Sequence, residues 1–263
     1  MHFDTLLLDR RDHIAWLTLN RPQSLNAMSR ALVRDLRAFF AQLGEDRDTR
    51  VVVLRGAGRA FCAGLDLKEG SDAFDSVQAG LRAQRTVSEL VMLMRRAPQP
   101  IIACVHGAAC GGGFALALGA DVRLAGESAR MNAAFIRIGL SACDVGVSYF
   151  LPRMVGASVA AELLLTGNFI EAQRAERLGL VSRVVPDAEL EAAAQTLADE
   201  MLRNSPLGLR LTKECLNASL DAGSLEQVIA MEDRNQILCS RSEDFREGIG
   251  AFLQKRPPQY SDC

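Results

Sequence analysis

Three consecutive glycines, Gly111–Gly113, stand between an apolar run from Ile101 to Val105 and an apolar stretch of helical period that begins at Phe114. The pattern reads as strand, glycine loop, helix start. Glycines permit backbone angles that a β-carbon forbids and leave their N–H groups unshielded. At a helix N-terminus such N–H groups point outward at the positive end of the helix dipole. That suits an anion, or an oxygen that becomes one during a reaction. A tight turn packing a strand closely against a helix has the same composition, and the loop alone does not separate the two. A dinucleotide cradle is disfavoured, because Gly111-Gly112-Gly113-Phe114-Ala115-Leu116 lacks the G-x-G-x-x-G spacing.

The elements that must position this loop alternate between strand and helix. Leu6 to Leu8 and Ile14 to Leu19, separated by the charged Asp9-Arg10-Arg11-Asp12, predict an opening hairpin. Ser29 caps a helix through Leu32, Leu36, Phe39, Phe40 and Leu43. Val51 to Leu54 predicts a strand buried on both faces, and Ser71 to Gly80 a mobile surface loop. Leu81 to Arg96 predicts a helix stopped by Pro98 and Pro100. Short strands follow at Val122 to Leu124, Ala129 to Met131 and Val181 to Val185; between them Leu151-Pro152-Arg153 opens a helix running from Ser158 to Leu165, and Glu171 to Leu178 predicts a further short helix. After Pro186 only helical patterns remain, at Leu190 to Arg203, Gly208 to Ala222, Leu225 to Leu238 and Ser242 to Leu253. The division this implies is an α/β core over 1–190, carrying the pocket, and a helical region over 191–263. Such a tail cannot hide every apolar face alone, so packing against a neighbouring subunit is expected.

Composition narrows the function classes. The 263 residues are 49% hydrophobic and 24% charged with a formal net charge of −2, so no basic field invites nucleic acid. No apolar run is long enough to span a bilayer, and the N-terminus lacks the greasy core of a signal peptide. Seven scattered cysteines without a C-x-x-C pair, and three separated histidines, argue against a disulfide framework and against a metal site. A cytoplasmic protein is the expectation.

Five stretches, in order, carry a resemblance. These are Leu19-Asn20-Arg21-Pro22 through Leu25-Asn26-Ala27, AFCAGLDLK at Ala60 to Lys68, the block from Pro100 to Asp121, TGNFIEAQRAERLGLV at Thr166 to Val181, and SEDFREGIGAFLQKRP at Ser242 to Pro257. Together they resemble the crotonase family, the enoyl-CoA hydratase/isomerase superfamily, over nearly the whole chain. The resemblance implies a spiral of ββα turns followed by helices that trimerise, often as a dimer of trimers. It implies acyl-CoA thioesters as ligands, with no cofactor beyond the CoA of the substrate. Two backbone N–H groups would hold the thioester oxygen as an enolate forms, and the motif match places them at Leu65 and Gly112. Ala63 and Gly64 would line the CoA end. Lys68 is either a contact for CoA phosphate or a solvated lysine. Asp66, in the same binding loop, resembles the family's loop-holding aspartate, and Asp121 a structural cap or ion-pair partner.

The departures decide the chemistry. The hydratases of this family use two glutamates, and the matching positions here are Ala115 and Phe135. Water activated on one side of a double bond and a proton delivered to carbon require positioned carboxylates, which these two residues do not supply. Phe135 instead joins the residues expected to shape the acyl pocket. Gly139 to Gly146 resembles the G-L-x-x-D-V-G segment of the dienoyl-CoA isomerases, with one extra residue before Asp144. Asp144 then reads either as a proton carrier or as the cap of a turn or of the next helix. Cys62 and Cys110 read as packing residues and Tyr149 as a wall residue. Two readings follow: an enzyme that shifts a double bond with Asp144 as its acid/base, or an acyl-CoA-binding protein without catalysis.

Overall fold

The computed structural model describes residues 3–69 and 76–262. In chain order the strands are β1 (Leu6–Arg11), β2 (Ile14–Leu19), β3 (Val51–Gly56), β4 (Ile101–Val105), β5 (Ala108–Cys110), β6 (Val122–Gly126), β7 (Arg130–Asn132), β8 (Ile170–Glu171) and β9 (Arg183–Val185). β1 and β2 form the expected hairpin, in register from Leu6 opposite Leu19 to Arg11 opposite Ile14. Only part of the charged run lies in the turn. Asp9, Arg10 and Arg11 continue β1 along the sheet edge, where charge faces water, and Asp12-His13 alone make the turn at φ 47° and 67°.

A six-stranded sheet has the order β1-β2-β3-β4-β6-β9, parallel from β2 onward. The continuous apolar runs of β3 and β4 follow from burial on both faces. One face is covered by α1 (Arg30–Gln42), α2 (Val77–Arg96) and α3 (Gly112–Gly119), over a core that includes Leu17, Leu54, Ala103 and Phe114. The other face, with Ile14, Trp16, Val53 and Ile102, is covered by α7 (Leu190–Leu202) through Leu190, Ala194 and Ala198. A second small sheet, β5-β7-β8, continues from β4 and leads directly into α3.

Several boundaries differ from the sequence expectation. α2 begins at Val77 because the Ser76 hydroxyl accepts the Ala79 N–H, so the expected loop gives way to helix from there. The part of that loop over 71–75 lies outside the described residues. Pro152 does not open a helix but sits inside α4 (Val147–Val155), which Gly156 separates from α5 (Ala157–Thr166). Ile170 and Glu171 belong to β8, and α6 (Ala172–Arg177) starts after them. Beyond α7, serine-capped helices α8 (Pro206–Ser219), α9 (Leu225–Ser240) and α10 (Glu243–Gln254) leave Leu216, Leu225, Ile237, Phe252 and Leu253 on the surface. Among the described residues no helix is long and apolar enough to cross a membrane.

Candidate active site

The first half of the site is the loop after β3. Asn26, fully buried and at φ 54°, donates from Nδ2 to the carbonyls of Ala57 and Ala60, both at 2.8 Å. Its Oδ1 accepts the Arg21 N–H at 2.9 Å. One amide thus ties the start of the loop to the end of β2. The loop then pairs twice. Cys62 forms a parallel bridge with Ala109 of β5, and Leu65 one with Met28, through Met28 N–H to the Gly64 carbonyl (2.7 Å) and Asp66 N–H to the Met28 carbonyl (3.2 Å). In a parallel bridge the middle residue turns its own N–H away from the partner strand. The Leu65 N–H accordingly has no acceptor among the described residues.

The second half is the start of α3. Gly111, at φ 50° and ψ −117°, caps the helix and donates its N–H to the Asn132 carbonyl at 2.9 Å. Gly113 packs so tightly that a β-carbon there would stand 2.1 Å from the Cys62 carbonyl oxygen. A β-carbon on Gly64 would lie 3.6 Å from the Gly112 nitrogen, and one on Gly112 would lie 4.0 Å from the Leu65 nitrogen. The two loops therefore meet as bare backbone. The Gly112 N–H, like that of Leu65, finds no acceptor among the described residues. Every residue of α3 is buried and its first turn carries no acid. Two unpaired amides on adjacent backbone, one at a helix N-terminus, can hold an oxygen on which negative charge develops.

Ala63 and Gly64 lie on the same loop, Gly64 at φ 96° and Ala63 half-buried with its N–H on the Leu25 carbonyl at 3.0 Å. Asp66 holds the loop from behind: its Oδ2 pairs with Arg21 Nη1 at 2.9 Å and its Oδ1 accepts the Lys68 N–H at 3.2 Å. The Lys68 side chain is exposed.

Ala115 and Phe135 are both buried. The Phe135 ring, carried on a short 3-10 turn over Ala134–Ile138, covers Gly111, with Cε1 3.4 Å from where a β-carbon on that glycine would stand. Asp144 lies in the turn before α4, which packs on α3 as α2 does. Val145 takes φ 46°, and its N–H reaches Asp144 Oδ1 at 2.7 Å. Gln84 Nε2 of α2 donates to the same oxygen, and Oδ2 accepts nothing among the described residues. Burial pushes the Asp144 carboxyl above its ordinary range, and the two donors offset part of that rise. The Asp144 side chain does not cap α4; Gly146 stands at that N-cap with no side-chain bond. Its backbone carbonyl does close the turn, accepting the Val147 N–H at 2.9 Å.

The structure thus brings Gly64 and Leu65 against Gly112, with Ala63 next to them on the same loop, and Phe135 against Gly111. Asp144 shares no hydrogen bond with any of them, and Lys68 stands apart. Arg21, Asn26 and Gln84 are the residues that sequence reasoning left without a role. The first two lie inside the LNRP–LNA stretch, which could have pointed to them; Gln84 has no such mark.

Other candidates are accounted for structurally. Asp121 accepts the Ile101 N–H and the ammonium of buried Lys213, each at 2.8 Å. The Tyr149 hydroxyl donates to Asp221 at 2.7 Å. Burial pushes the Cys62 thiol up to about 12 and raises that of Cys110, so neither is a ready nucleophile. Among the described residues no group of three or more His, Cys, Asp or Glu side chains could hold a metal ion.

Residues 9–263 match the sequence profile of the family described as enoyl-CoA hydratase/isomerase. The chain is 41% identical to the "Probable enoyl-CoA hydratase EchA12" of Mycobacterium tuberculosis, across 96% of this chain and 90% of that protein. It is 37% identical to the 1,2-epoxyphenylacetyl-CoA isomerase of Escherichia coli, across 93% of this chain and 94% of that one. Among solved structures, the enoyl-CoA hydratase of Bacillus anthracis superposes with a TM-score of 0.94 at 34% identity, covering 99% of this chain and 100% of the other.

Proposed function

The chain belongs to the enoyl-CoA hydratase/isomerase family, and from that premise we propose that it moves a double bond along an acyl-CoA thioester. The observation that carries this reading is the pair of acceptor-free amides at Leu65 and Gly112, beside positions 115 and 135 that hold no carboxylate. Asp144 Oδ2 takes a proton from the carbon next to the thioester carbonyl of a 3-enoyl-CoA. The electron pair of that C–H bond moves toward the carbonyl, and the resulting enolate oxygen is held by the two N–H groups. Collapse of the enolate returns the pair to the far carbon of the old double bond. That carbon takes the proton back from Asp144, leaving the 2-enoyl-CoA. Electrons and atoms balance within the substrate, so this step calls for no redox cofactor or metal. Each amide contributes about 3 kcal/mol of barrier lowering if it acts as oxyanion donors do elsewhere.

Ala63 and Gly64 bound the CoA end, Asp66 fixes their loop, Lys68 meets CoA phosphate and Phe135 bounds the acyl pocket. Relatives named as a hydratase, at 41% identity, and as an epoxyphenylacetyl-CoA isomerase, at 37%, both resemble this chain, so the choice of isomerisation rests on Ala115 and Phe135. The exposed apolar residues of α8 to α10, including Phe252 at 83% and Leu253 at 74% exposure, favour burial in a homotrimer or a dimer of trimers. The cysteines suit the reducing cytoplasm.

A panel of 2-enoyl, 3-enoyl and dienoyl thioesters, followed by mass spectrometry and chromatography, tests the reading. Isomerised product without added water supports it, and hydration overturns it. Binding without any turnover would make the protein an acyl-CoA binder on this fold.

A further inference from the structure

Gln84 lies in the third turn of α2, and its Nε2 reaches Asp144 Oδ1 across a separation of 60 residues. The Val145 N–H falls on the same oxygen at 2.7 Å, so Oδ1 holds two donors while Oδ2 holds none among the described residues. A carboxylate pinned at one oxygen presents the other in a fixed direction. Ser88, one turn further along α2, lies 3.5 Å from the Gln84 amide nitrogen and helps to orient it. We propose that Gln84 is a positioning residue, which aims Asp144 Oδ2 as the proton acceptor by binding the opposite oxygen. This rests on the reading of Asp144 as the base.

Burial raises the Asp144 carboxyl and these two donors offset part of the rise; among the described residues no charged neighbour contributes. The charged and titratable groups on the packed elements are engaged elsewhere or face solvent. On α2, Glu89 pairs with Arg37 and Arg95 with Asp121, while Arg82 and Arg85 are exposed. On α4, Tyr149 and Arg153 both meet Asp221. α3 carries no titratable side chain, and the Cys143 thiol beside Asp144 is exposed. Gln84 is thus the side chain through which α2 acts on this carboxylate. A hydrogen bond to the ionised form favours that form, so its loss raises the pH at which Asp144 ionises.

The test uses full-length protein labelled with 13C at the aspartate carboxyl, with the Asp144 resonance identified by its loss in Asp144→Asn. In Gln84→Leu the resonance is expected to titrate at higher pH, by about one unit. In Gln84→Glu a second carboxylate moves it further in the same direction. Turnover of a 3-enoyl-CoA thioester by Gln84→Leu falls about tenfold in kcat, with KM within about twofold of wild type. An unmoved midpoint in both variants overturns the proposal. So does full kcat in Gln84→Leu when Asp144→Asn abolishes turnover. Retention of turnover in Asp144→Asn is a different failure, since it removes the base itself.

Discussion

The ring of Phe135 lies against the bare backbone of Gly111, 3.4 Å from the place a β-carbon would occupy, and so walls the start of α3 with hydrocarbon. The resemblance to the hydratases of this family implies a carboxylate at that position. Phe135→Ala removes a buried ring and is expected to cost about 3 kcal/mol of stability, or several degrees in Tm by calorimetry. Phe135→Glu is expected to gain no hydration activity, because the partner position remains Ala115.

Asn26 makes three hydrogen bonds from a fully buried site, two of them to the carbonyls of Ala57 and Ala60. Asn26→Ala leaves those groups unpaired and is expected to cost about 3 kcal/mol or more. Urea unfolding monitored by the single tryptophan, Trp16, reads that loss. Turnover should fall further than stability accounts for, since the loop that carries Leu65 loses its anchor.

The glycines of the α3 start are not interchangeable. A β-carbon on Gly113 meets the Cys62 carbonyl oxygen at 2.1 Å, rigid backbone on both sides, whereas one on Gly112 meets the flexible Met28 sulfur at 2.7 Å. Gly113→Ala is expected to yield little folded protein. Gly112→Ala is expected to fold, with kcat lowered about 100-fold as the oxygen is displaced from its donors. Circular dichroism and steady-state kinetics separate the two outcomes.

Burial raises the Asp144 carboxyl, so the folded protein binds this proton more tightly than the unfolded chain. By linkage, stability from this group is present at acid pH and is lost as pH rises through the folded-state value. Asp144→Asn should therefore gain Tm relative to wild type between about pH 4 and neutrality. In catalysis the same shift places the acid limb of kcat/KM above the ordinary carboxylate range. A Tm difference that is flat with pH would remove this account.

Much of the fold is legible in the sequence because its signals are local. Continuous apolar runs mark β3 and β4, a serine cap marks α1, and three glycines mark the place where two backbones must touch. Pro152 misleads, since a proline is expected to open a helix and here stands within α4. The hairpin turn at Asp12-His13 is hidden because neither residue is a glycine although both take positive φ. Asn26 lies in a quoted motif, but its role appears only when Ala57 and Ala60 fold over it. Gln84 is less visible still. A glutamine on an amphipathic helix has no pattern of its own, and its partner is fixed by how α2 meets the turn before α4.

The central claim is that Asp144 moves a proton at the carbon beside a thioester whose oxygen rests on the Leu65 and Gly112 amides. Mass spectrometry of a 3-enoyl-CoA thioester incubated with the protein in D2O tests it most directly. The account predicts a migrated double bond with wild type, with any deuterium taken up at the far carbon that Asp144 reprotonates, and no migration with Asp144→Asn, which still binds the thioester. Equal double-bond migration by Asp144→Asn, or water added across the double bond by wild type, would contradict it.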